Sequence, residues 1–100
     1  MTKQEIRDVA ASHGIEARYR GNDTEDNRKG FFFIPVLLNN LESLKHNQRK
    51  RLEADPENVK LKEELQLTIE RIEFANNDWE SFKQTKVYTT EKEKHETSTI

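Results

Sequence analysis

The sequence predicts an α+β fold that is mostly helical: a short N-terminal helix, a two-stranded β-hairpin, then a long antiparallel helical hairpin with coiled-coil-like packing and a disordered C-terminal tail. Three observations carry that reading. Leu61, Leu65, Thr68, Ile72, Ala75, Trp79 and Phe82 recur at alternating spacings of four and three, which aligns them along one seam of a long helix. Asp55-Pro56-Glu57-Asn58 separates that helix from an earlier one, and so short a turn folds the two back on each other. Upstream, Ile15, Ala17 and Tyr19 alternate with charged residues, and a polar loop divides them from Phe31-Phe32-Phe33-Ile34, the pattern of two short strands.

Each element has its own signals. Thr2 followed by Glu5 forms a capping box, and Gly14 suits a left-handed stop, so the first helix spans about 3–13. The hairpin covers 15–34, its loop GNDTEDNRKG entirely polar, with Asp23, Glu25 and Asp26 read as solvated rather than as a cation site. The second strand is apolar on both faces, so one face lies on the helices and the other needs a cover.

Pro35 opens the helical hairpin, which spans 35–85. Leu37, Leu38, Leu41 and Leu44 give its first helix an apolar face, and Gln48 stands where an aliphatic residue would be expected. At the turn, Asp55 is expected to cap the next helix with Pro56 in its first position. The DPEN turn resembles the inter-helix turn of tetratricopeptide repeats over four residues, but the repeat period is absent, so no fold follows from it. Leu67 and Phe74, seven residues apart, lie off the main seam and mark a second apolar strip. Residues 1–88 thus read as a single small domain and 89–100 as the tail.

Composition narrows the function more than any motif. With 100 residues, 32% hydrophobic and 36% charged, the core must be small. There is no cysteine, which removes disulfides, thiol chemistry and cysteine-bound zinc. A net charge of -2 gives no global attraction to nucleic acid. His13, His46 and His95 sit in separate segments without ligand spacing, and His13 is expected to meet free carbonyls at its helix end. No glycine-rich phosphate loop or activated nucleophile is present, so the expectation is a non-enzyme without cofactor or metal. The N-terminus runs straight into a helix and no apolar run reaches membrane length, giving an expected cytoplasmic location.

The reading that follows is a protein–protein interaction module, an adaptor or phage-type inhibitor that docks on a larger protein and self-associates. Its partner-binding residues would be Phe31, Phe32, Phe33, Leu67 and Phe74. An alternative is nucleic-acid binding through the basic segment 45–51, with Lys45, Arg49, Lys50 and Arg51 on phosphates. The competing account neutralises that segment with Glu57, Glu63 and Glu64 of the following helix. A third class is a self-assembling structural component.

Overall fold

The computed structural model describes residues 1–22, 24–26 and 28–98. The fold is α+β and mostly helical: α1 (Lys3–Ser12), β1 (Glu16–Tyr19), β2 (Phe31–Ile34), α2 (Val36–Ala54), α3 (Val59–Phe82) and α4 (Lys86–Ser98). Thr2 caps α1, its hydroxyl oxygen accepting from the Glu5 N–H at 3.2 Å, the first of the two capping-box bonds, and its O–H donates to the Glu5 carboxylate at 3.2 Å. The helix ends where Gly14 takes φ +69 and the Ile15 N–H returns to the Ala10 carbonyl at 3.0 Å. Gly14 also receives α2, since the Leu37 N–H donates to its carbonyl and a Cβ there would stand 2.7 Å from Leu37 Cβ.

The hairpin pairs Ala17 with Phe33 and Tyr19 with Phe31 in an antiparallel register. Those four share one face, because strand side chains alternate. That face is the inward one: Phe31 is 1% exposed, and Phe33 and Ala17 pack on the core of Ala10, Ile15 and Phe82. Aromatic rings dominate this small head, with Tyr88 edge-on to both Trp79 and Phe82 at centroid separations of 6.1 Å. Across the head, the His13 Nδ1–H donates to Asp78 Oδ1 at 2.9 Å and joins the end of α1 to α3. His13 is therefore engaged by a carboxylate, rather than by helix-end carbonyls as the sequence suggests.

Away from the head, α2 and α3 form a two-helix arm, and the molecule measures 56 × 24 × 21 Å. Its radius of gyration of 17.8 Å exceeds the roughly 13 Å of a compact 100-residue domain, so the arm projects freely. Two helices alone cannot enclose a seam. Leu61, Leu65 and Ile72 are accordingly only half-buried, and above Phe82 the buried residues are Gln48, Thr68 and Ala75. Gln48 does occupy the inward position, and its Oε1 has no hydrogen-bond partner among the described residues.

Two boundaries differ from expectation. Asn58, not Asp55, caps α3, its side-chain oxygen accepting from the Leu61 N–H at 3.1 Å. Asp55 instead ends α2 and holds the Asn58 amide at 3.0 Å, so Pro56 lies in the turn and α3 starts at Val59. The second difference is α4. A turn after Phe82 ends the long helix, and helix resumes over Lys86–Ser98 where the sequence reading begins a tail at residue 89. Val87 and Tyr88 pack against the core and Glu91 is buried, so this polar helix is held by its first turns. Residues 99 and 100, and Asp23 of the loop, lie outside the described residues.

Candidate functional site

The off-seam residues of the arm form its most distinctive surface. Leu37 and Leu44 are seven apart on α2, as Leu67 and Phe74 are on α3, so each pair repeats along one helical face. All four are exposed, at 47%, 41%, 47% and 79% respectively. Leu37, Leu41, Leu67 and Phe74 line a single groove of about 560 Å³ with Ala75, and Glu70 and Arg71 also border it. A chain with a mean hydropathy of -1.06 has few apolar side chains to leave in water, which makes a contiguous exposed band informative.

The band stops half-way along the arm. One heptad further toward the turn, the equivalent positions are Arg51 and Lys60, both exposed. Charge is segregated in the same sense. Residues 45–62 carry six lysines and arginines against three acids, whereas 36–44 together with 63–82 carry one arginine against seven acids. Lys45 pairs with Glu42 at 3.6 Å, but Arg49, Lys50 and Arg51 are exposed and make no salt bridge to the described residues. The expected neutralisation by Glu57, Glu63 and Glu64 is thus not formed.

The predicted partner-binding set divides in two. Leu67 and Phe74 stand on the exposed band. Phe31 is buried and Phe33 half-buried, because the inward face of β2 packs on the chain's own aromatic core. Phe32 points the other way and is 37% exposed, with the Arg20 guanidinium 5.6 Å from its ring centroid. It lines a pocket with Arg20, Trp79 and Tyr88 that shares no residue with the groove of Leu67 and Phe74. By sequence Leu37, Leu38, Leu41 and Leu44 form one apolar face, which the fold divides. The seven-residue spacing of Leu37 and Leu44, matching that of Leu67 and Phe74, was the signal that separates them.

A polar cluster in the head lies beneath α4. Glu91 is 2% exposed; its Oε2 accepts from Lys94 Nζ at 2.6 Å, while Oε1 has no hydrogen-bond partner among the described residues. Burial lowers the Arg20 guanidinium below its ordinary value, and the nearby charges of Glu91 and Tyr88 oppose that shift. Arg20 Nη1 also donates to the Phe31 carbonyl at 2.7 Å, which makes this cluster a brace between β2 and α4. Among the described residues, no group of three or more His, Asp or Glu is placed to hold a metal ion, and no helix is long and apolar enough to cross a membrane. Compared with protein-family models, curated proteins and solved structures, the chain has no significant match.

Proposed function

We propose that this chain is a non-enzymatic protein–protein interaction module whose docking element is the apolar band of the α2–α3 arm. The observation that carries the proposal is Phe74, a large aromatic side chain left 79% exposed beside Leu37 and Leu67. Aromatic residues set among aliphatic ones, with charges at the rim, have the composition of an interface centre. The head supports this role mechanically. It fixes the foot of α3 through Phe82 and Trp79 and leaves the arm projecting, so docking needs no rearrangement of the core.

The test is capture by immobilised wild-type and Phe74→Glu chains, after nuclease treatment and with matched circular dichroism spectra. Wild type should retain a polypeptide, foreign or its own untagged copy, that Phe74→Glu does not. Identical retention by both would remove the band from the mechanism.

A second reading is favoured by the exposed, unbridged Arg49, Lys50 and Arg51 near the arm's tip. It assigns them to nucleic-acid phosphates and predicts affinity that falls steeply with salt. Binding to a duplex that is absent at low salt would dispose of it.

A further inference from the structure

We propose that the apolar band of the arm is covered by the same band of a second copy, with the two arms antiparallel; this rests on the docking reading above and names its partner. The band is self-complementary in that arrangement. A twofold axis crossing the arm between Glu70 and Arg71 sets Leu67 of one copy opposite Phe74 of the other, and Leu37 opposite Leu44. Glu70 and Arg71, which flank the axis, then meet as reciprocal pairs of opposite charge. The resulting core is a four-helix one, which supplies the enclosure that two helices lack.

Charge selects the direction. Antiparallel arms carry the basic stretch 45–62 of each copy toward the acidic foot of the other, where Glu73 is exposed and where Asp78 and Glu80, bridged to His13 and Lys83 in their own chain, add to the negative field. Parallel arms would instead bring the two sets of tip cations together. Area is adequate as well. With the charged stretches on either side of the band included, a 24-residue α3 beside α2 presents a face of about 36 by 20 Å, at about 1.5 Å rise per residue and about 10 Å per helix. That is close to the roughly 800 Å² per partner of a standard stable interface.

The experiment combines solution mass with one distance on the full chain. Sedimentation equilibrium of the wild type should give twice 11.9 kDa. Phe74→Glu should weaken association by about 30-fold or more with an unchanged helical spectrum, and Leu67→Lys serves as an independent second variant. Because the chain has no cysteine, Glu57→Cys accepts a single spin label at the arm's tip. Antiparallel copies place the two labels roughly 40 Å apart, from about 13 residues on either side of the axis at about 1.5 Å each. A dimer with labels within about 25 Å is parallel and overturns the arrangement, as does a dimer indifferent to both band variants. A wild type still monomeric at millimolar concentration overturns the second copy as occupant. If that monomer captures a different protein through Phe74, the docking reading stands alone; if it captures none, both fail.

Discussion

Phe33 and Phe82 meet edge to face, their ring centroids 5.0 Å apart and their planes at 75°, and this contact fastens β2 to the foot of the arm. Phe82 is 0% exposed, whereas Phe74, eight residues earlier on the same helix, is almost fully in water. Two aromatic substitutions on one helix should therefore separate folding from association. Phe82→Ala should cost about 3–5 kcal/mol, a large part of the roughly 5–15 kcal/mol that holds a small domain together. Phe74→Ala should change the monomer's stability by no more than about 0.5 kcal/mol. Urea unfolding at a concentration too low for association checks both.

Gln48→Leu should stabilise the arm. The buried Gln48 Oε1 has no hydrogen-bond partner among the described residues, and an aliphatic side chain of similar size removes that desolvation penalty. An increase of about 1 kcal/mol is expected from chemical denaturation. A decrease would mean that the amide is satisfied by a water between the helices.

Gly30→Ala should destabilise the head by about 2–4 kcal/mol. Gly30 adopts φ +72, and a Cβ there would stand 2.5 Å from the Glu91 carbonyl oxygen. The new methyl group would drive α4 away from β2. Loss of near-ultraviolet dichroism from Trp79 and Tyr88, together with a lower Tm, is the expected readout.

Reversing Arg49 and Lys50 to glutamate should loosen self-association by about 2- to 30-fold, the range for one exposed ion pair lost per copy, two in the dimer. Added salt should weaken the wild-type dimer and have less effect on this variant. Sedimentation at two ionic strengths measures both effects. Stronger association of the variant would show that the tip cations do not face the acidic foot.

What could be read from the sequence was whatever depends on local geometry. Thr2 and Glu5 announce the first cap, Gly14 its stop, and the four-three spacing from Leu61 to Phe82 the seam of α3. The α+β, mostly helical architecture follows from those signals and the two alternating strands. Tertiary choices were less legible. Asp55 and Asn58 are both good caps, and only the Leu61 N–H decides between them. The apolar face of α2 is wide enough to be buried whole or split, and a single neighbouring helix splits it, leaving Leu37 and Leu44 outside. Residues 89–98 look too polar to fold, yet they continue a helix that Val87 and Tyr88 anchor in the head. For the same reason Phe31 and Phe33 resemble an interface in sequence and serve as core in the fold.

The arm's half-buried seam gives α3 two different lives along one uninterrupted helix. Near Phe82 and Ala75 its amides sit beside the packed head, and their exchange with deuterium requires the whole domain to open. Near Leu61 and Leu65 they have α2 on one side and solvent on the other, and fraying from the turn suffices. Protection should therefore rise steadily from the Asn58 end toward the head. Any occupant of the band, a second copy included, grips the helix midway along that gradient, where Leu67 and Phe74 stand, so engagement would register as slowed exchange spreading from there toward the turn.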